Sequence, residues 1–296
     1  MTKPTMKQTL DIYRHQMDAF FASCLHEESI PPSLAHAMRY SLLAGGKRIR
    51  PVLCLVWGEF FGRTLDELVP FAASLEFIHT YSLVHDDLPA MDDDDLRRGQ
   101  PASHVQHGEA LAILAGDALL TEAFTLMLSA SLPPDVVCQA ALDVSEAAGP
   151  RGMVGGQVWD MEFSGGKDVS LDELQTMHAL KTGAMIRSSC RAGAVLGQAA
   201  AQDLEKVTRY GECIGLAFQV ADDILDLVGE AEKLGKPVGS DLAQGKATYP
   251  ALIGLEKSRS LGQAMVREAL AALNSFHGPQ IDFLRDLAVY IMDRVE

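Results

Sequence analysis

The sequence is poor in several features that would direct it to other classes of protein. Its 296 residues include 5 cysteines, none spaced as metal ligands, so neither a disulfide framework nor a thiolate zinc site is predicted. The N-terminus lacks the apolar core of a signal peptide, and no run reaches the roughly 18 uncharged apolar residues that span a bilayer. Lys and Arg number 25 against 40 Asp and Glu, and the net charge of −15 disfavours nucleic acid as a partner. We expect a cytoplasmic protein without stable membrane insertion.

Runs of β-branched and aromatic residues are also sparse, whereas Ala, Leu, Met, Glu and Gln, which favour helices, are abundant. Short Pro-rich and Gly-rich breaks separate segments of helical periodicity. Ser170 with Glu173 predicts a capping box that opens a helix through about Gln198, and Ser33 is expected to cap a helix over 34–43. Because no break resembles a long linker, the sequence predicts a single all-α domain over residues 1–296.

Two aspartate clusters follow the two most apolar helices, which are predicted over 65–84 and 209–228. A helix that is apolar on most of its circumference is buried, so both are expected to run through the centre of the protein. The first cluster is HDDLPAMDDDDLRRG from His85, and the second lies in FQVADDILD from Phe218. A single aspartate run is usually a solvated surface, but two runs that both end apolar helices indicate a site.

The chemistry of these clusters predicts magnesium. Asp222 and Asp226 stand one turn apart on a helix face, where two carboxylates repel unless a cation neutralises them. Magnesium suits such a site because it takes few protein carboxylates and completes its shell with water and phosphate oxygens. In the first cluster, Pro89 disfavours helical geometry at Leu88, so we expect the helix to end there and the chain to turn, bringing Asp92 back to the metal.

Six motifs in order resemble those of the trans-isoprenyl diphosphate synthases, and among them the bacterial farnesyl diphosphate synthases. Besides the two aspartate motifs they are GGKRIRP from Gly45, KTG from Lys181, GKPVGSD from Gly235 and GKATYP from Gly245. The resemblance covers nearly the whole chain. It implies a homodimeric transferase of isoprenoid biosynthesis, folded as a bundle of long helices around a deep central cavity. The implied reaction joins isopentenyl diphosphate to dimethylallyl and geranyl diphosphate, giving farnesyl diphosphate.

The resemblance also implies a role for each motif residue. Three magnesium ions, for which manganese can substitute, are expected at Asp86, Asp87, Asp92 and Asp222, with support from Asp223 and Asp226. The residues expected to bind the allylic diphosphate are Arg97, Lys181 and Lys236. Those expected to stabilise the developing carbocation are Thr182 and Gln219. Arg97, Lys181, Thr182 and Gln219 are thus the expected catalytic set. Isopentenyl diphosphate, held without metal, is expected at Lys47, Arg50, His79 and Arg98.

Product length is assigned, by the same resemblance, to the residues just below the first cluster, Tyr81 and Ser82. A large residue at position 81 predicts farnesyl diphosphate, with geranylgeranyl or geranyl diphosphate as the alternatives. A terpene cyclase is disfavoured, because it needs no second diphosphate site such as GGKRIRP and Arg97–Arg98 suggest. An inactive regulatory subunit is disfavoured because both aspartate clusters are intact, and a helical scaffold would not need them.

The sequence also predicts the roles of three further residues and raises a question about the end of the chain. Arg48 is expected to form a structural ion pair, Lys246 to help close the site, and His178 to be an ordinary helix residue. The chain ends in DRVE, where many bacterial members of the family end in basic residues. This departure puts closure of the site by a basic tail in question.

Overall fold

The computed structural model describes residues 4–25, 30–165, 167–228 and 245–295. A small antiparallel hairpin, β1 (Leu96–Arg97) and β2 (Gln100–Pro101), follows the first aspartate cluster. The remaining regular structure in these ranges is helical, which confirms the all-α prediction. The helices are α1 (Met6–Ser23), α2 (Pro32–Leu42), α3 (Ile49–Phe60), α4 (Leu65–Asp86), α5 (Ser103–His107), α6 (Glu109–Leu128), α7 (Pro134–Ala148), α8 (Met153–Phe163), α9 (Leu171–His178), α10 (Ala184–Leu196), α11 (Ala201–Val228), α12 (Tyr249–Ile253), α13 (Leu255–Ala272) and α14 (Pro279–Asp293).

Helices α4 and α11 form the centre of the molecule, as the apolar periodicity predicts. Every residue of α4 from Phe71 to Ile78 is buried, because the helix is covered mainly by α3 and α6 and also by α1, α2 and α10. Helix α11 packs against α10 and α13, and its buried face extends down to Asp226. The two helices carry one aspartate cluster each at their C-terminal ends.

Two predicted helix starts have different outcomes. The capping box of Ser170 and Glu173 is present, with the Ser170 hydroxyl accepting from the Glu173 amide at 3.3 Å. The prediction that Ser33 caps the second helix is wrong. Helix α2 begins at Pro32, after Pro31, because proline lacks the amide hydrogen that the first turn would leave unpaired.

The helix predicted from Ser170 to Gln198 is interrupted. After α9, residues Ala179–Gly183 form a π turn, and α10 then continues to Leu196. A π turn holds one more residue than the corresponding α turn, and such turns are frequent at functional sites. This one contains the KTG motif.

The chain after α4 turns back as predicted. Helix α4 ends at Asp86, and the amide of Asp92 donates to the Asp86 carbonyl at 2.9 Å. Two further backbone bonds close the turn, to the carbonyl of Leu88 from Met91 at 2.8 Å and from Asp93 at 3.2 Å. Asp86 and Asp92 therefore lie side by side although six positions separate them.

One described helix, α6, is long and apolar enough to cross a membrane by length and composition. It packs along α4 and α2 through Ala112, Ala115, Leu119 and Ala123. Its opposite face remains exposed.

Candidate active site

A polar cavity of about 410 Å³ lies at the C-terminal end of α11. The predicted residues that line it are Lys47, Lys181, Gln219, Asp222 and Asp223. Lys246, which was expected to help close the site, lies on the same wall, and the structure adds Asp160, His178 and Arg294. The cavity therefore joins cations and carboxylates contributed by segments far apart in sequence.

The π turn positions Lys181 on this wall. Helix α8 approaches so closely that a Cβ atom on Gly156 would lie 2.3 Å from the Lys181 backbone nitrogen. Only glycine permits that contact. The side chain of Lys181 extends to Asp160, one turn further along α8, with Nζ 2.6 Å from Oδ2. Burial would lower the pKa of Lys181, but Asp160 and Asp86 outweigh it and raise the pKa, so the amine is charged.

Asp160 lies between two cations of the cavity. Its Oδ2 is 4.0 Å from Nζ of Lys246, whose ammonium also lies 3.6 Å from Asp92. Burial would raise the pKa of Asp160, but Lys181 and Lys246 lower it below its usual range. Lys246 thus connects the first aspartate cluster to the cavity wall, in agreement with its predicted place at the site.

Thr182 and Gln219 are in direct contact. The Thr182 hydroxyl donates to Gln219 Oε1 at 2.9 Å, and Gln219 Nε2 donates to Asp223 Oδ1 at 3.1 Å. The other oxygen of Asp223 accepts the Tyr249 amide at 3.0 Å. This chain of bonds fixes the neutral Gln219 amide, which lines the cavity, against the Thr182 hydroxyl of the π turn.

The first aspartate cluster contains two different environments. Burial raises the pKa of Asp86 to about 6, with Asp92 adding to the effect and Lys181 opposing it. Asp87 is buried and forms an ion pair with Arg97, whose Nε lies 2.9 Å from Oδ1. Arg97 therefore contacts the first cluster itself in this structure, through Asp87 and also Asp94 at 3.2 Å.

The GGKRIRP segment forms a loop that only glycine can begin. Gly45 and Gly46 have φ values of 92° and 121°, a region disfavoured for other residues. A Cβ atom on Gly46 would lie 2.8 Å from the guanidinium of Arg98, which donates to the Gly45 carbonyl. The loop thus joins two predicted diphosphate contacts, Lys47 and Arg98, across 51 positions of sequence.

Arg50 and Arg98 lie near the buried carboxylate of Glu76, and both act on the ring of His79. Arg98 Nη2 lies 4.0 Å from Glu76 Oε1. Nε of Arg50 is buried and has no hydrogen-bond partner within the described ranges, as expected of a donor that awaits an anion. Burial, and then the charges of Arg50 and Arg98, hold the pKa of His79 well below its usual range, so its ring is neutral.

Arg48 points the other way, which confirms the predicted ion pair. Its guanidinium lies 2.9 Å from Glu76 and 3.1 Å from Asp18, and it also donates to the Leu42 carbonyl at 2.7 Å. The side chains of Arg48 and Glu76 are 1% and 2% exposed. Arg48 therefore anchors the loop and does not face the cavity.

The C-terminus does supply one cation to the site. Arg294 Nη2 lies 3.3 Å from Asp222 Oδ1, and its guanidinium covers the ring of Phe218 at 4.8 Å. The charge of Arg294 also lowers the pKa of Lys47, after the larger effect of burial. The ending DRVE carries a single basic residue, and that residue lies against the second aspartate cluster.

The predicted product-length residues lie one turn below Asp86. Tyr81 is 7% exposed, its ring meets that of His85 with centroids 5.8 Å apart, and burial and Asp86 together raise its pKa to about 12. Ser82 is partly buried and donates to the His79 carbonyl at 2.9 Å. Both residues remain predicted determinants of product length.

The described residues include no group of three His, Cys, Asp or Glu side chains that could hold a metal by themselves. They nevertheless fit magnesium in its usual mode, with one or two carboxylates and the rest of the shell from substrate phosphates. The turn after α4 brings Asp92 back to Asp86, and the pKa of Asp86 is raised mainly by burial, with a smaller contribution from the charge of Asp92. Asp222 lines the cavity, whereas Asp226 is buried.

Some residues fall outside these conclusions. Lys236 and the GKPVGSD motif lie outside the described residues.

The sequence interpretation missed Asp160 and Arg294, and it took the buried, cavity-lining His178 for an ordinary helix residue. The signal for Asp160 is faint: it follows Val158 and Trp159 and is one of two acids in a mostly apolar helix.

Comparison with known proteins identifies the family of the chain. The polyprenyl synthetase family profile matches residues 31–277. The chain is 46% identical over 258 residues to the farnesyl diphosphate synthase of Geobacillus stearothermophilus, covering 86% of each. It is 45% identical over 266 residues to the chloroplastic geranylgeranyl pyrophosphate synthase of Capsicum annuum, covering 89% of this chain and 72% of that enzyme. The apo crystal structure of an FPP/GFPP synthase from Zymomonas mobilis is 36% identical and superposes with a TM-score of 0.86, covering 97% of this chain and 98% of the other.

Proposed function

The chain belongs to the polyprenyl synthetase family and is a prenyl transferase, and from that premise we propose that its product is farnesyl diphosphate. It would form this product by joining isopentenyl diphosphate to dimethylallyl and then geranyl diphosphate. The observation that carries the proposal is the buried ring of Tyr81, five positions before Asp86 and beneath the first aspartate cluster.

The division of the cations supports two separate diphosphate positions. Lys246 lies 3.6 Å from Asp92 and the charge of Lys181 acts on Asp86, two carboxylates that can hold magnesium, which suits the substrate whose diphosphate must leave. Arg50 and Arg98 instead have the buried Glu76 as their main carboxylate neighbour, with the neutral His79 near both arginines, which suits a diphosphate that must stay attached. Arginine is well matched to such a contact because its planar group can bind two phosphate oxygens.

The proposed reaction begins when the carbon–oxygen bond of the allylic diphosphate breaks, giving pyrophosphate and an allylic cation. Magnesium held by Asp86, Asp92 and Asp222 would neutralise charge on the leaving group. Thr182 and Gln219 direct neutral oxygens at the cation, and Lys181 binds the departing pyrophosphate. The double bond of isopentenyl diphosphate then attacks the cation and forms the new carbon–carbon bond. The released pyrophosphate accepts the proton whose loss restores the double bond and a neutral hydrocarbon chain.

Tyr81 would limit product length by filling the space beneath the metal site. Replacing it with alanine should remove this floor and shift the product from farnesyl to geranylgeranyl diphosphate or longer. The matched control is Tyr81→Phe, which keeps the ring and should leave the product unchanged. The measurement is chromatography of labelled products formed from geranyl and farnesyl diphosphate primers. A Tyr81→Ala enzyme that still stops at farnesyl diphosphate would exclude Tyr81 as the floor.

Geranylgeranyl diphosphate is the second candidate product, because the relative from Capsicum annuum is about as similar to this chain as the one from Geobacillus stearothermophilus. The same assay separates the two. Wild-type enzyme that extends a farnesyl primer efficiently is a geranylgeranyl diphosphate synthase.

The exposed face of α6 supports a homodimer. Ile113, Leu114 and Leu128 are 43%, 56% and 61% exposed on a helix whose other face is buried. A second copy of the chain is the occupant that we propose for this apolar face. Leu114→Glu should produce monomers in analytical ultracentrifugation, while Leu142→Glu, at a similarly exposed leucine on α7, should not. Dimers that survive the α6 substitution would assign the contact elsewhere.

A cytoplasmic location completes the proposal. All five cysteines are free in the structure, as is usual in a reducing compartment. Fractionation of cells that express the tagged chain tests this location. Recovery of the protein in the membrane pellet would contradict it.

A further inference from the structure

Asp160 is an anion built into a site for anions. It is 8% exposed and lines the cavity, whereas Glu162 on the same helix faces solvent. Its carboxylate contacts Lys181 at 2.6 Å and approaches Lys246 to 4.0 Å. These are the cations that we assign to the allylic diphosphate. Their contacts with Asp160 do not arise from a chance conformation of a flexible side chain.

The backbone fixes this arrangement. Gly156 lies one turn before Asp160 on α8, and its missing side chain lets α8 rest directly on the π turn that carries Lys181. The position of Asp160 relative to Lys181 is therefore set by contact between two backbones. A carboxylate at this place remains near the lysines when a substrate arrives.

An anion that shares its cations with a bound diphosphate has two opposing effects. It holds the lysine side chains toward the cavity while the site is empty, and it repels the diphosphate once the site is filled. This repulsion acts on both the bound substrate and the released pyrophosphate. It is strongest for pyrophosphate, which carries the most charge.

We propose that Asp160 competes with diphosphates for Lys181 and Lys246, and thereby limits how tightly the enzyme holds the released pyrophosphate. Asp160 is a positioning residue in this scheme, because it acts through the two lysines. The inference rests on the proposed function only in requiring that the cavity takes a diphosphate.

The test is binding of inorganic pyrophosphate, with magnesium, to full-length Asp160→Asn enzyme by isothermal titration calorimetry. Asparagine keeps the shape of the side chain and removes its charge, and we expect the dissociation constant to fall about tenfold. Inhibition of turnover by pyrophosphate should strengthen by the same factor. The KM for the allylic substrate should fall together with kcat, because product release becomes slower. A residue that only maintained the fold would lower kcat without tightening pyrophosphate binding.

Asp135→Asn removes an exposed charge on α7 and serves as the control, with unchanged affinity expected. Asp160→Ser provides a second uncharged variant in case asparagine impairs folding, and it should also bind pyrophosphate more tightly. Unchanged or weaker binding by folded Asp160→Asn or Asp160→Ser, beside an active wild type, overturns the inference alone. A wild type that neither binds pyrophosphate nor consumes allylic diphosphates overturns the proposed function as well.

Discussion

The buried ion pair of Arg48 and Glu76 gives the sharpest test of what holds the site in place. Replacing Arg48 with methionine removes three hydrogen bonds and leaves the Glu76 carboxylate without its nearest partner. Removing one member of a buried pair costs about 3–5 kcal/mol, since the remaining charge stays away from water. Arg48 has a φ of 52°, a region that arginine and methionine both disfavour to a similar degree. The substitution therefore leaves the backbone strain unchanged and isolates the loss of the ion pair.

The assay is urea unfolding at neutral pH, followed by circular dichroism. Arg14→Met is the matched control, because its pair with Asp11 spans a similar 3.1 Å but is 39% and 50% exposed. It should cost no more than about 1 kcal/mol. The double variant Arg48→Met with Glu76→Gln should be less destabilised than Arg48→Met, because it no longer buries a carboxylate that has lost its 2.9 Å partner. Equal losses for Arg48→Met and Arg14→Met would refute the reasoning.

Two functional predictions accompany this one. Lys47→Ala should raise the KM for isopentenyl diphosphate about tenfold or more, whereas Lys181→Ala should mainly slow consumption of the allylic substrate. Steady-state kinetics in which each substrate is varied separately test the division, which fails if both variants change the same parameters equally. The magnesium requirement should depend on pH, because the pKa of Asp86 is raised to about 6, first by burial and then by Asp92. Above this pH the carboxylate is ionised, and below it magnesium must displace a proton. The magnesium concentration that gives half-maximal activity should therefore rise about tenfold for each unit by which the pH falls below this value. Magnesium titrations of activity between pH 5 and 8 measure it, and a constant requirement below pH 6 would contradict the environment described for Asp86.

The sequence predicted those features that depend on local chemistry. Pro89 predicted the end of α4 and the return of Asp92, since the restriction that proline places on Leu88 operates within a few residues. The capping box at Ser170 is equally local. The error at Ser33 has a local cause too, because the preceding prolines start the helix before a serine cap is needed.

Features that depend on contacts between distant segments could not be predicted in this way. Asp160 and Lys181 are 21 positions apart, and their contact requires a close approach of two helices at Gly156. Nothing in the composition of α8 reveals that approach. Arg294 stands 72 positions from Asp222 and is a lone basic residue, so no pattern distinguishes it from a surface charge.

The π turn of Ala179–Gly183 constrains the length of the chain as well as its composition. Removing one residue there would restore regular helical geometry and rotate α10 by about 100° relative to α9. Helix α10 cannot follow such a rotation, because a Cβ atom on Gly193 would already lie 2.2 Å from the carbonyl of Cys54 on α3. Substitutions in this segment change a side chain and leave the alignment of two helices intact. A deletion would instead displace Lys181 and Thr182 together from their positions at the site. Selection should therefore eliminate variants in which the length of this segment is altered, even where every residue of the motif is kept.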